Sequence, residues 1–274
     1  MATAIITSVS STISQMSKAG RKMPPSTDYF NNTAYLEYLK THQAHQNTSA
    51  SGRVAGSDLA VEIIHLLAIK PGAVTVEIGC GIGRIMHLLH SVFDAEVYGC
   101  DVSLPAVEYV RQNAPMFADK VHHRSSDQLD FLRSASVDHV VMWGVFELTD
   151  QRRTLIEISR VLKPGGVALL GSVKNRAYLP DDEGSLAAHR AYIAKSIPIS
   201  YSDVPSIEAL IRFLGMEIRQ RAVFKYKSDL PDGKYSLDTD VSEFSEAMYI
   251  IEKTSTTPAD ADVAVAPHDE KVRA

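Results

Sequence analysis

The stretch Val74-Thr75-Val76-Glu77-Ile78-Gly79-Cys80-Gly81-Ile82-Gly83-Arg84 decides the fold. A short apolar run meets glycines at alternate positions and passes directly into the helical pattern Arg84-Ile85-Met86-His87-Leu88-Leu89. Such glycines open backbone angles closed to other residues and let the main chain approach a ligand, while the helix that follows presents unpaired N–H groups. This is a nucleotide-binding corner. A tight turn without a ligand has the same composition, so the segments on either side must decide between them.

Composition narrows the classes. A chain of 274 residues suits one α/β domain with extensions. Its net charge of -5 argues against a broad phosphate-binding surface, so no nucleic-acid partner is expected. Cys80 and Cys100 are the only cysteines, each at the end of a predicted strand and without CxxC spacing. That usage fits a reduced, cytoplasmic protein without a metal site. The most apolar run, Val61 to Ile69, is too short to span a bilayer and carries Glu62 and His65, so no membrane partner is expected either. Residues 1–27 combine Ser, Thr and Ala with Lys18, Arg21 and Lys22 and contain no acid. A flexible N-terminus over 1–26 is the plainer expectation, and an organelle transit segment is its alternative.

Upstream of the corner, residues 27–56 form a helical cap and linker. Thr27 to His45 reads as a helix with Tyr35, Leu36 and Leu39 at helical spacing, and 47–56 as a turn-rich connector. The main domain is expected over 57–253, starting with a helix capped by Ser57 and stopped by Pro71-Gly72. Downstream, Ala95 to Asp101 is a second strand that ends in an acid. Asp101 lies 22 positions after Gly79, near the spacing at which a carboxylate accepts from both ribose hydroxyls in a βαβ nucleotide site. Asp101 or Ser103 also caps the helix from Leu104 to Ala114, and the two roles are compatible.

Lys120 to Ser125 is a third strand, and Val137 to Trp143 a fourth, nearly all apolar as a parallel strand covered on both faces should be. Residues 150–162 form an amphipathic helix, and the turn Lys163-Pro164-Gly165-Gly166 leads into a strand from Val167 to Val173. This alternation predicts a doubly wound parallel sheet. An insertion over 174–205, with a helical patch from Leu186 to Ser196, falls at the carboxyl edge of that sheet, where a lid would sit. A helix from Ser206 to Leu214 precedes two extended runs, Met216 to Tyr226 and Ala247 to Glu252, that read as an antiparallel pair. The tail over 254–274 has no period and is expected to be disordered.

Four ordered motifs, VEIGCGIG at 76–83, YGCD at 98–101, VDHVVMWGVFELTD at 137–150 and ISRVLKPGGVALL at 158–170, resemble the class I S-adenosylmethionine-dependent methyltransferases of the small-molecule type. The dinucleotide-binding oxidoreductases carry GxGxxG instead, whereas here Arg84 follows the third glycine of a GxGxG. The resemblance implies a Rossmann-like seven-stranded sheet in order 3-2-1-4-5-7-6 with strand 7 antiparallel, a helical N-terminal extension and a lid insertion. S-adenosyl-L-methionine is the implied cofactor. Glu77, Gly79, Gly81 and Gly83 would hold its methionine and sugar part, Asp101 its ribose, and Val102 would lie beside the adenine. Asp127 with Ser126 would bond the adenine amino group, and Trp143 and Gly144 would flank the sulfonium. An aromatic face and carboxylates suit a cationic ligand.

The implied reaction is in-line attack on the sulfonium methyl by O, N or C of a small organic acceptor, driven largely by positioning and exclusion of water. A base is needed only when the acceptor must lose its proton early. Candidates are Glu147 just past the fourth strand, His122 or His123 on the third, and His189 in the insertion. Many members of the family carry a histidine near Phe146-Glu147-Leu148, and this chain does not. A protein or RNA acceptor, or a catalytically silent binding protein, are the alternatives. Acceptor contacts are expected from Tyr29, Phe30 and Tyr35 on the N-terminal helix and from Arg176, Tyr178 and Tyr192 in the insertion.

Overall fold

Four of the five residues of β1 (Val74–Ile78) are β-branched, stiff at χ1 and suited to a pleated surface. All but Val74 are buried, as in a strand covered on both faces. In the computed structural model, which describes residues 29–47, 64–177, 190, 199–225, 236 and 243–254, β1 lies inside a seven-stranded sheet. The chain runs α1 (Thr33–Asn47), β1, α2 (Arg84–Phe93), β2 (Glu96–Asp101), α3 (Leu104–Asn113), β3 (Val121–His123), β4 (Val137–Met142) and α4 (Gln151–Val161). It continues through β5 (Leu162–Lys174), α5 (Val204–Phe213), β6 (Met216–Phe224) and β7 (Glu246–Lys253).

The strand order is β3-β2-β1-β4-β5-β7-β6, with β7 antiparallel to both β5 and β6 and the other pairs parallel. This is the order the resemblance implies. It reverses between β1 and β4, so their carboxyl ends flank the crevice where ligands bind in open α/β sheets. One apolar cluster joins Ile85, Met86 and Leu89 of α2 and Val107 and Val110 of α3 to one face. The other joins Leu155 and Ile158 of α4 and Ile207 and Ile211 of α5 to the opposite face.

Two boundaries past β4 differ from expectation for identifiable reasons. Lys163 to Gly166 is a bulge inside β5 rather than a turn before it: Val137 pairs with Leu162 and His139 with Val167. Lys163 closes this bulge by donating to both oxygens of Asp138 at 2.8 and 2.9 Å, and Asp138 also accepts from the Val74 N–H at 2.9 Å. Helix α5 begins at Val204 because Asp203 caps the Ser206 N–H at 3.3 Å, a capping aspartate the apolar pattern alone did not reveal. The insertion closes on itself, since the Ser202 N–H donates to the Lys174 carbonyl and the Arg176 N–H to the Ser202 carbonyl.

The N-terminal segment, the linker past Asn47, residues 57–63 of the helix expected after Ser57, the helical patch from Leu186 apart from Arg190, and the tail past Thr254 lie outside the described residues. The expected helix ends at His65 rather than at Pro71-Gly72, because the chain turns at 66–67 and Ala68 takes φ 50°. Among the described residues no helix is long and apolar enough to cross a membrane.

Candidate active site

The corner between β1 and α2 is built by three glycines with positive φ: Gly79 at 76°, Gly81 at 53° and Gly83 at 82°. The N–H groups of Gly79 and Cys80 both donate to the Cys100 carbonyl, at 2.8 and 3.0 Å, which seats the loop on the end of β2. Gly79 is also sterically confined, because a Cβ there would stand 2.5 Å from the Val145 side chain. Gly81 has room, its nearest neighbour being the Leu39 side chain at 3.7 Å. Gly83 ends the loop as the left-handed residue before α2.

Asp101 ties the corner to the next helix. One carboxylate oxygen accepts from the Gly81 N–H and the other from the Ser103 N–H, both at 2.8 Å. Ser103, in turn, caps α3 by accepting from Ala106, so both residues proposed for that terminus take part in it. Each Asp101 oxygen keeps capacity for a further donor. Burial holds the Asp101 carboxyl above its ordinary value, against the pull of those two N–H bonds. Half-buried Val102 follows, its carbonyl 3.0 Å from Nε2 of His123.

Glu77 lies beneath the corner and is 4 % exposed. Burial pushes its carboxyl well above the ordinary range, while the nearby Arg84 charge and a bond from the Met86 N–H pull it down. Its Oε2 has no hydrogen-bond partner among the described residues. At the other side of the crevice, Ser126 and Asp127 follow β3. The Ser126 hydroxyl is engaged with Thr154 of α4 at 2.7 Å, leaving Asp127 the more available of the two side chains. Asp127 is also buried, with Arg153 3.8 Å from Oδ2 and no partner on Oδ1. Two buried, unpartnered acceptor atoms are costly unless a donor meets them. They fit a ligand that carries donors at both ends, as the amino group and the adenine amine of the implied cofactor do.

Trp143 and Gly144 leave the end of β4 half-buried and exposed, respectively, and Gly144 turns with φ 66°. Val145 then packs on Gly79, so the β4 loop and the glycine corner are one packed unit. Glu147 follows, 3 % exposed, with Lys174 Nζ at 4.0 Å from its Oε1 and Glu246 Oε2 at 3.1 Å from the same ammonium. One lysine therefore stands between two buried carboxylates at the carboxyl ends of β4 and β5. The sequence signal for this group was slight: a charge closing an apolar strand.

His122 does not join this group. It sits on the edge strand β3, paired in register with Cys100, and its ring stacks on Phe131 at 4.0 Å. Burial and the charges of Arg111 and Arg124 hold its pKa below the ordinary value. With β2 and β1 between β3 and β4, the fold separates it from Glu147. His189, Tyr178 and Tyr192 lie outside the described residues. Arg176 is exposed at the mouth of the insertion.

The N-terminal aromatics pack first on one another. Ring centroids are 5.3 Å apart for Tyr29 and Phe30, 5.1 Å for Phe30 and Tyr35, and 5.6 Å for Tyr29 and Tyr35. Their segment lies across the glycine corner: Leu39 approaches Gly81, Asn31 accepts from the Leu104 N–H at 2.9 Å, and Lys40 stands 5.1 Å over the Tyr109 ring.

Residues 76–170 match the family described as "Methyltransferase domain". An O-methyltransferase of Penicillium expansum is 27% identical over 61% of this chain and 60% of its own length. A tRNA N(3)-cytidine methyltransferase of Mus musculus is 31% identical over 46% of this chain and 49% of its own. The chain thus spans less than two thirds of each of these relatives. Among solved structures, the geranyl diphosphate C-methyltransferase from Streptomyces coelicolor A3(2), in complex with Mg2+, geranyl diphosphate and S-adenosyl-L-homocysteine, superposes with a TM-score of 0.61. It is 14% identical, with 85% of this chain and 99% of that chain covered, a likeness of fold.

Proposed function

We propose, for a chain that belongs to the class I S-adenosylmethionine-dependent methyltransferases, that it transfers the cofactor's methyl group to an oxygen, nitrogen or carbon of a small organic acceptor. The observation that carries the small acceptor is the cover over the corner. Residues 29–47 lie across the glycine loop, bonded to α3 through Asn31, and the insertion is pinned at its base beside Glu147, whose carbonyl accepts from Ser200. A crevice overlain by such a segment takes a small molecule more readily than a folded macromolecule.

When bound, S-adenosylmethionine supplies a methyl group on a positively charged sulfur, which needs no further activation as a leaving group. Glu77 and the glycine loop would hold the amino-acid part, Asp101 the ribose hydroxyls, Val102 would lie beside the adenine, and Asp127 with Ser126 would bond its amine. Trp143 and Gly144 border the reacting end of the crevice, the indole face offering a favourable surface to positive charge. Glu147 provides a carboxylate to take the acceptor's proton where one must leave, and Lys174 and Glu246 hold it in place. Tyr29, Tyr35 and Arg176 with Tyr178 and Tyr192 contribute the acceptor's surroundings. Such a cover would limit water at the reacting atoms.

An RNA acceptor is favoured by one observation, the 31% identity to the tRNA-modifying relative. Labelled methyl transfer separates the classes. The full chain is incubated with labelled cofactor and either a panel of small hydroxy, amino and enolic acceptors or total tRNA. Turnover with a member of the panel and none with tRNA is expected. Transfer to tRNA alone would overturn the small acceptor, and binding of S-adenosylhomocysteine without turnover on any acceptor would favour a silent binding protein.

A further inference from the structure

The first turn of α4 is held on two sides. Asp150 caps it by accepting from the Arg153 N–H at 3.1 Å, and the Thr154 N–H closes it on the Asp150 carbonyl at 2.9 Å. Toward β3, Thr154 meets the Ser126 hydroxyl at 2.7 Å, and the Arg153 guanidinium lies 3.8 Å from Asp127 and 3.4 Å from Asp150. Toward the insertion, Gln151 uses both ends of its amide. Its Nε2 donates to the Ser200 carbonyl at 3.1 Å, and its Oε1 accepts from the Ser202 hydroxyl at 3.0 Å. A carbonyl can only accept, which fixes the orientation of that amide. The same serines are bonded to the ends of β4 and β5: the Ser200 N–H donates to the Glu147 carbonyl at 2.6 Å, and the Ser202 N–H to the Lys174 carbonyl at 2.7 Å.

We infer that the first turn of α4 couples the cofactor's adenine end to the acceptor side, with Gln151 as the positioning residue that seats Ser200, Ser202 and, through them, the loop carrying Glu147. The inference rests on the reading above, in which Asp127 and Ser126 receive the adenine and Glu147 serves the acceptor. Asp127 is buried, and its Oδ1 has no donor among the described residues. A ligand amine that meets this oxygen removes a cost and steadies the loop packed on Thr154. The Arg153 pairs are partly exposed and add little by themselves, whereas the hydroxyl bond between Ser126 and Thr154 is buried and carries the connection. Gln151 and Thr154 belong to one hydrogen-bonded turn, three residues apart and so neighbours on the helix surface. A shift of one is therefore felt by the other, and segment 199–202 sits more firmly when the adenine end is filled.

Amide exchange on the full chain, read residue by residue by NMR, tests this with S-adenosylhomocysteine as the probe. Ser200 is exposed, so its N–H exchanges through local opening of the segment rather than through global unfolding. Saturating S-adenosylhomocysteine should slow exchange of the Ser200 and Ser202 N–H groups by about fivefold or more in the wild type, the lower end of ordinary coupling between sites. In Gln151→Ala the same addition should change them less than about twofold. Affinity for S-adenosylhomocysteine should stay within about twofold of wild type, because the opened form is a minor state and weighs little in the measured affinity. Gln151→Glu tests the geometry separately: a carboxylate still accepts from Ser202 and suits the first turn of a helix, but it cannot donate to the Ser200 carbonyl. It should uncouple Ser200 more than Ser202 while keeping the fold, which separates the coupling from a folding defect of the alanine variant. A wild type that binds S-adenosylhomocysteine with no slowing at either serine, or slowing that survives intact in both variants, would overturn the coupling and leave the cofactor reading in place. Failure of the wild type to bind S-adenosylhomocysteine would overturn the cofactor reading and the coupling with it.

Discussion

Replacing Gly79 by alanine should cost far more than the same change at Gly81, although both glycines have positive φ. The shared part is conformational, since a side chain in the left-handed region costs about 1–2 kcal/mol. Only at Gly79 does the new Cβ collide with packed atoms, at 2.5 Å from Cγ2, 2.7 Å from Cγ1 and 3.0 Å from Cβ of Val145. Overpacking of this kind adds about 1–3 kcal/mol, for a total of about 2–5 kcal/mol at Gly79. At Gly81 the nearest atom is 3.7 Å away, an ordinary contact, so only the conformational part remains. A double-mutant cycle isolates the collision. Val145→Ala removes both Cγ atoms, so in the Gly79→Ala background it should restore about 1–3 kcal/mol, leaving the strain of φ behind. Urea denaturation of the four proteins in the cycle, with Gly81→Ala alongside, measures each quantity. Equal costs at the two glycines, or additive effects of Gly79→Ala and Val145→Ala, would refute the claim that the corner and the β4 loop are one packed unit.

Binding of S-adenosylhomocysteine should release protons. Burial raises the Glu77 carboxyl above its ordinary 4.5, and an ammonium beside it would favour the ionised form. Stability from this group in the unliganded chain is therefore full below 4.5 and lost as pH rises through the folded-state value, whereas affinity rises over that interval. Calorimetry in buffers of different ionisation enthalpy reads the proton count, and a buffer effect surviving in Glu77→Gln would assign it elsewhere. At the amino end of the central strand β4, away from the crevice, Asp138→Ala should destabilise by about 1–3 kcal/mol, chiefly through the orphaned Val74 N–H, with no change in ligand affinity. Burial opposes ionisation of Asp138, but Lys163 and the Val74 N–H outweigh it and hold the carboxyl below its ordinary 3.8. Its contribution is thus present above 3.8 and lost as pH falls through the folded value, which acid titration of wild type and variant would check. Lys174→Met should cost about 3–5 kcal/mol by leaving Glu147 and Glu246 buried without their shared ammonium. A thermal melt unchanged from wild type would count against that cluster.

The backbone frame of the proposed cofactor half was legible because backbone geometry restricts sequence. A turn with three positive-φ residues calls for glycines at 79, 81 and 83, and a strand-end acid that holds both the turn and the next helix calls for Asp101. The sheet order followed from the alternation of patterns and from the four motifs. The bulge in β5 was less legible, because Lys163-Pro164-Gly165-Gly166 has the composition of a turn and only the register with β4 shows that pairing starts before it. The acceptor half was legible only in part. Glu147, Lys174 and Glu246 come from three separate segments, and no local pattern links a charge at the end of β5 to one at the start of β7. The surroundings of His122 were not legible, because a histidine on a strand has no periodic signal for the direction of its ring, and here that ring stacks on Phe131.

The structure also gives a physical reason for the cofactor that spacing alone did not. A glycine corner before a helix is favourable to phosphate because the helix N-terminus attracts negative charge. In this chain a carboxylate occupies that region: Glu77 lies buried at the end of β1, just before the glycines. Asp101 adds a second carboxylate on the Gly81 N–H, one of the groups a phosphate would otherwise use. Two like charges about 5 Å apart repel by roughly 3 kcal/mol at an effective dielectric of about 20, enough to lower affinity more than a hundredfold. A pyrophosphate would meet that repulsion at the corner. A cationic group of a ligand meets the opposite, attraction from both carboxylates. Two buried carboxylates beside the glycines thus disfavour a phosphate and favour a ligand with a positive end.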